Sequence, residues 1–421
     1  MKSKEKSPLM FKGEQKLLDF LGGHLYLLAL IVITVIAIAV RVILLDYQSG
    51  DAYYFLLPWY ETIKTEGFKA LSHQVGDYNM LYQFLVAIFT LLPLKALHAY
   101  KLFTIIFDFL LAALAARIVY KNADDHHQLK AVIAYGCVLL SPLVIFNGAL
   151  WAQCDAVYTF FCILSLYMMY KDRYLGSMIL FGVAMAFKLQ AIFILPILLF
   201  CYFRKKKFSI LYFLICPAVM IFCSLPGLLQ GRKITEVFTI YFSQTSTYKS
   251  MSMNYPSFWT LFQDKALDTE ERFGMFSKIA VILTVALLIF YLLIWYKKKI
   301  TLNYGNFFSI SLLVVYTCVL FLPSMHERYG FLYEILALFV ALKYYRTIPI
   351  LLLTYSVSIM AYGLYLFTTP TNIIYISLMN LAAYAAYAIY LNRQILKNND
   401  TDTTEIYRAS AKLANTANKQ K

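Results

Sequence analysis

Ionisable and amide side chains gather in a few short strings between long apolar stretches of this chain. Asp51 begins the first polar region, which continues to G-D-Y-N, with Asp77, Tyr78 and Asn79. W-A-Q-C-D brings Trp151, Gln153 and Asp155, and F-K-L-Q brings Lys188 and Gln190. P-S-M-H-E-R-Y sets His326, Glu327, Arg328 and Tyr329 side by side, and Arg41 lies near the end of the first apolar run. A carboxylate can take the proton of an acceptor hydroxyl, while cations hold a departing phosphate as negative charge develops on it. Both parts are present, and they suit transfer of a sugar from a lipid-linked phosphate.

Each residue also has a structural explanation. Asp51 and Asp155 can cap helices through the free amide protons of a first turn. Lys188 can snorkel from a helix end, and Trp59 and Trp151 can belong to an interfacial belt. Asp108, inside an apolar run, reads as the buried partner of a cation such as Arg117. Three adjacent ionisable residues at 326–328 are poor lipid neighbours, and there the functional reading is the stronger one.

The elements that must carry these strings follow from composition. The chain has 421 residues, of which 61% are hydrophobic and 14% charged, too apolar for a soluble domain. Apolar runs of about 20 residues recur, as a hydrocarbon slab demands, and such unbroken runs are helices. We expect an all-α, polytopic membrane protein with about twelve spans: 24–45, 99–120, 130–149, 154–170, 174–188, 189–203, 208–226, 274–296, 305–322, 330–345, 347–367 and 371–392. The stretch 81–97 is laid down as a re-entrant or interfacial helix, because a crossing there would put Lys121 and Lys130 outside. A single transmembrane domain then covers 1–396, with outer loops at 46–98, 150–153 and 227–273. Residues 397–421 read as a polar, disordered cytoplasmic tail, and the first run reads as a retained helix rather than a signal peptide.

Thirty-eight Lys and Arg against 23 Asp and Glu give a formal charge of +15. Most of these cations cluster between runs on the side that the positive-inside rule makes cytoplasmic, with Arg232, Lys233, Lys249, Lys265 and Arg272 of the long outer loop as exceptions, so the charge reports topology and not a nucleic-acid partner. The seven cysteines lack metal-ligand or paired spacing, and no phosphate-cradling glycine motif is present. With both termini cytoplasmic, the polar strings meet at the outer face.

At this point the chain resembles the GT-C glycosyltransferases, and more closely bacterial membrane proteins related to the second mannosyltransferase of GPI-anchor synthesis. The resemblance rests on G-D-A-Y-Y-F-L-L-P-W-Y (50–60), D-Y-N-M-L-Y (77–82), W-A-Q-C-D (151–155), F-K-L-Q-A-I-F-I-L-P (187–196) and M-H-E-R-Y (325–329), in that order. It implies a multi-spanning transferase of a bacterial plasma membrane, with a polyprenyl-phosphate sugar as donor and a glycan, glycolipid or teichoic-acid-like acceptor. By that likeness Asp51 is the catalytic base, with Asp77 as fallback, and Asp155 is the second acid. Arg41, Lys188, His326 and Arg328 then hold the phosphate, and Glu327 orients them. Asn79, Gln153 and Asp155 meet hydroxyls, Trp59, Tyr78 and Trp151 offer ring faces, and Gln190 and Tyr329 complete the substrate-binding set. Ala152 departs from a frequent W-G-Q, and Ser324 stands where Lys is frequent. No D-x-D flanks Asp51, so neither a metal nor any other cofactor is expected. The alternatives are a lipid-linked sugar flippase or transporter, whose charges would sit nearer the midplane, and a polysaccharide polymerase.

Overall fold

The computed structural model describes residues 11–247, 249–262 and 270–394, so the tail expected at 397–421 lies outside the described residues. The described chain is almost wholly helical. In order it forms α1 (Lys12–Ile43), α2 (Leu57–Glu66), α3 (Met80–Phe89), α4 (Ala96–Asn122), α5 (His127–Leu139) and α6 (Pro142–Ile145, continued by a π-turn to Leu150). There follow α7 (Asp155–Tyr170), α8 (Tyr174–Phe187), α9 (Leu195–Lys205), α10 (Ile215–Cys223), α11 (Leu225–Leu229) and α12 (Glu236–Thr247). The chain ends with α13 (Glu270–Lys297), α14 (Tyr304–Phe321), α15 (Phe331–Lys343), α16 (Ile348–Phe367) and α17 (Ile373–Gln394). Two short strands, β1 (Ser252–Met253) and β2 (Met325–His326), pair in parallel.

Among the described residues, six helices are long and apolar enough to cross a membrane: α1, α4, α13, α14, α17 and a helical segment of residues 345–367 that includes α16. The bent pair α5 and α6 makes a seventh if it counts as one span. The remaining expected spans are helical but short or broken. At ten residues, α3 is about 15 Å long, half a hydrocarbon core.

Burial follows from sequence. Every residue of α14 is buried, as befits a helix apolar on all sides, and it packs on α15 at the centre. Around them α4 packs on α5 and α7, α7 on α8, and α8 on α10. By contrast α1 buries only Ala37 and Arg41, leaving an apolar surface suited to lipid. Several buried tyrosine hydroxyls in the core find partners, as a dry interior favours. Tyr316 donates to Asn380 Oδ1 at 2.5 Å, Tyr255 to Tyr333 at 3.0 Å, and Tyr387 to the Ser309 carbonyl at 2.9 Å.

One end of the bundle collects the cations. Lys343 pairs with Asp124, Lys205 and Lys207 with Asp172, and Arg204 donates to the Lys299 and Ile300 carbonyls. The polar strings lie at the opposite helix ends. Two buried cations anchor the path between. Lys101 donates to the carbonyls of Leu44 at 2.7 Å and Tyr47 at 2.6 Å, capping the orphan end of α1. Asp108 pairs with Arg41, not with the Arg117 expected, through Nε at 3.0 Å and Nη2 at 2.9 Å. Arg41 Nη1 also donates to the Leu139 carbonyl at 3.0 Å.

That pair is fully buried, so removing one partner leaves a naked charge, which costs about 3–5 kcal/mol, whereas a matched apolar pair is close to neutral. Arg41→Met is therefore expected to lower the melting temperature of the purified protein strongly, and Arg41→Met with Asp108→Leu to recover most of it. Equal melting of the single variant and parent would show that the pair contributes nothing.

Candidate active site

The loop from α1 into α2 places Asp51. Ser49 Oγ donates to the Trp151 carbonyl at 3.1 Å and accepts the Ala52 amide at 3.2 Å, tying this loop to the W-A-Q-C-D turn. Asp51 stands where a cap would, yet its side chain makes no capping hydrogen bond. Its carboxylate instead accepts from Trp151 Nε1 at 3.0 Å and Gln153 Nε2 at 2.8 Å on Oδ2, and from the Tyr365 hydroxyl at 2.6 Å on Oδ1. Three of about four lone-pair directions are thus taken. The orientation is fixed and one direction is left over.

The turn that delivers Trp151 and Gln153 depends on backbone geometry. After the π-turn, the Gln153 amide donates to the Asn147 carbonyl at 2.9 Å, and Ala152 takes φ +65°. Left-handed backbone is the natural territory of glycine. That is a physical reason for a glycine at this position elsewhere, and the alanine Cβ here costs about 1–2 kcal/mol. Ser324, the other departure, is also left-handed at φ +57° and donates through Oγ to the Ser250 carbonyl at 2.8 Å.

Arg328 and Lys188 supply the charge opposite. Arg328 Nη1 donates to Glu327 Oε1 at 3.0 Å and lies 3.9 Å from Asp51 Oδ2, while its Nε lies 3.7 Å from Asp155 Oδ2. The guanidinium also covers the Trp151 ring at 5.3 Å, a cation–π contact. Lys188 is extended, between α8 and a 3-10 turn at Leu189–Ile194, and its Nζ meets Asp155 Oδ1 at 2.5 Å. The rings of Tyr78, Tyr158 and Tyr329 surround that ammonium within about 6 Å.

A cavity of about 920 Å³ joins most of these groups. Asp51, Trp59, Asp77, Tyr78, Gln153, Lys188, Gln190 and the run from His326 to Tyr329 line it. Four expected site residues do not. Arg41 is engaged with Asp108, away from the cavity. Asn79 caps α3 and donates to the Val237 carbonyl at 3.0 Å. Trp151 is buried, stacked on Tyr365 with centroids 5.0 Å apart. Asp155 is wholly buried behind the wall, its oxygens bound to Lys188 and, at 2.8 Å, to Asn147 Nδ2. It does not line the cavity.

In the loop between α14 and α15, burial moves two groups away from their ordinary titration ranges. Burial, aided by the charges of Arg328 and Lys188, pushes His326 well below its ordinary range, so the ring is neutral. A neutral ring can offer one N–H to a phosphate. Burial likewise pushes Glu327 up to about 7 against the pull of Arg328. Asp77 is also raised by burial.

Tyr365 and Lys278 are among the lining residues that the sequence reading does not single out. Tyr365 sits in α16, and nothing in its local sequence marks it as a partner of Asp51. Lys278 lies on α13, and a lone cation in an apolar run was a signal that could have found it.

Gly76 shapes the aromatic wall. It has φ +79°, and a Cβ there would fall 2.5 Å from Cδ2 of Trp59. Gly76→Ala must displace that ring, and a misplaced cavity wall is expected to lower turnover on the order of 10-fold to 100-fold. A shifted tryptophan emission should accompany the loss. Unchanged turnover and emission would show that the ring position is irrelevant.

An all-helical, multi-pass chain with a carboxylate and a guanidinium on one cavity wall has the parts of a membrane-embedded group-transfer enzyme. Comparison with protein families gives the particular class: glycosyltransferase family 87 matches residues 78–323, well over half of the chain, and the protein belongs to that family. It is a glycosyltransferase, consistent with the GT-C resemblance. The matched region holds Tyr78, Trp151 to Asp155 and Lys188, and leaves Asp51 and the M-H-E-R-Y string outside. No curated protein matches the chain.

Proposed function

We propose that the protein is an inverting transferase that moves a hexose-type sugar from a polyprenyl-phosphate donor to a hydroxyl of a cell-envelope glycan, glycolipid or teichoic-acid-like acceptor. The observation that carries this reading is the Asp51 and Arg328 pair, 3.9 Å apart on the polar wall of a cavity whose other wall is apolar. Ile192 and Ile282 line that apolar wall and are also exposed on the protein surface, at 38% and 67%. A lipid tail can lie there while its phosphate meets the polar side.

In one step Asp51 accepts the proton of the acceptor hydroxyl, and the resulting oxygen attacks the anomeric carbon. The bond from that carbon to the phosphate oxygen breaks, its electron pair leaving with the polyprenyl phosphate. Arg328 meets the developing charge, with Lys188 behind it, and His326 offers an N–H. Gln153, Asp77 and Gln190 face the sugar or acceptor, while Trp59, Tyr78 and Tyr329 form ring walls. These residues meet the phosphate charge without a metal, so EDTA is expected to leave turnover unchanged.

The same reading sets the chain in a bacterial plasma membrane with about twelve crossings, both termini cytoplasmic and the cavity on the outer face. Residues 1–396 form the transmembrane domain, and α3 lies at the interface. The cation-rich bundle end opposite the cavity supports this orientation.

Purified protein in nanodiscs, given a panel of farnesyl-phosphate hexoses, tests the proposal by mass spectrometry. Release of farnesyl phosphate with an inverted glycoside product is expected. Turnover of nucleotide sugars or diphosphate-linked donors alone would overturn it.

A further inference from the structure

The cavity holds three Lys and Arg side chains, and two are already balanced. Lys188 is paired with Asp155 at 2.5 Å, and Arg328 with Glu327 at 3.0 Å and Asp51 at 3.9 Å. The third, Lys278, has no carboxylate within ion-pairing distance among the described residues. It is the only Lys, Arg, Asp or Glu between Arg272 and Lys297, and lies about 12 Å along α13 from its start. A charge in such a run demands a reason.

Snorkelling alone explains it poorly, because the helix turns Lys278 toward the cavity. Phe273, Ser277, Lys278, Val281 and Ile282 all line it, the spacing of a single helix face. Ammonium and apolar side chains therefore follow one another along the same wall, cation first and hydrocarbon a turn further on. That sequence of chemistry matches a phosphate followed by an isoprenoid chain.

We propose that Lys278 is a phosphate-anchoring residue for the isoprenoid phosphate, holding its charge where the chain enters along Val281 and Ile282. The inference rests on the lipid-phosphate donor reading. It makes Lys278 a specificity residue: its ammonium stands outside the Lys188 and Arg328 ion pairs, where it can meet a phosphate group on a lipid, and it leaves proton transfer to Asp51.

The test uses the full chain in phosphatidylcholine nanodiscs, with farnesyl phosphate, farnesol and inorganic phosphate as probes and tryptophan emission as readout. Lys278→Gln is expected to weaken farnesyl phosphate binding about tenfold, the scale of one lost charge-assisted contact. Farnesol binding should be unchanged, inorganic phosphate should bind far more weakly than farnesyl phosphate, and Lys278→Arg should restore affinity. In the parent protein, farnesyl phosphate should also protect Lys278 from acetylation by an amine-reactive ester, a measurement independent of how any variant folds. Parent-like binding by Lys278→Gln, or protection by phosphatidylglycerol in the nanodisc in place of farnesyl phosphate, would overturn the assignment and leave the donor reading standing. A parent protein that binds farnesol and farnesyl phosphate alike would overturn both.

Discussion

Asparagine in place of Asp51 is expected to cut turnover of a polyprenyl-phosphate sugar by roughly 10²- to 10⁴-fold, the range a positioned general base contributes. The substitution keeps side-chain size and removes the ability to take a proton. It also disturbs the surroundings in a foreseeable way. The carboxylate accepts from Trp151, Gln153 and Tyr365, whereas an amide has one accepting oxygen and must turn its NH2 toward one of these donors. Tyr365 and Gln153 can rotate to adapt, so the fold should survive. The measurement is kcat with a farnesyl-phosphate hexose, alongside melting temperature and farnesyl phosphate affinity. A fall in kcat with the other two preserved identifies the base. Asp77→Asn is the companion variant: if it abolishes turnover while Asp51→Asn runs at the parent rate, the base is Asp77.

The second large effect concerns Arg328. Losing a donor aimed at developing charge typically costs about 10²- to 10³-fold, and Arg328→Met is expected to fall in that range. Arg328→Lys should recover only part of the loss. Lysine keeps the charge, but it cannot present a planar fork to Glu327 while lying over the Trp151 ring. Because Arg328 also lies near Asp51, Glu327 and Asp155, its removal leaves carboxylates facing one another. Melting curves are therefore part of the experiment. A folded Arg328→Met protein with parental kcat would exclude the guanidinium from the reaction.

The helical class and the strings that meet at the cavity can be read from the chain, because apolar runs and misplaced ionisable residues are local signals. Lys188, Gln153 and the 326–329 run line the cavity as their spacing suggests. What cannot be read locally is how a buried charge is balanced. Arg41 looks like a phosphate ligand until Asp108, 67 residues away, is seen to accept from it. Asp155 looks like a second acid until Lys188 and Asn147 are seen to hold both oxygens. Helix continuity is hidden from hydropathy for a related reason. Apolar residues run on across Ile210–Leu214, yet the hydrogen-bond pattern there tightens to 3-10 and leaves α10 only nine residues long. Hydropathy reports solvent preference and is blind to that change.

The donors that hold Asp51 come from very different stages of synthesis. Trp151 and Gln153 leave the ribosome about 100 residues after it, but Tyr365 follows 314 residues later. A nascent chain that has already inserted Asp51 and the cavity floor still lacks the hydroxyl that fixes the carboxylate. Turnover is therefore expected only once α16 has been made and has packed against this loop. Fragments stalled or clipped before α16 would sit in the bilayer as inert scaffolds, and two separately expressed halves should regain turnover only on reassembly.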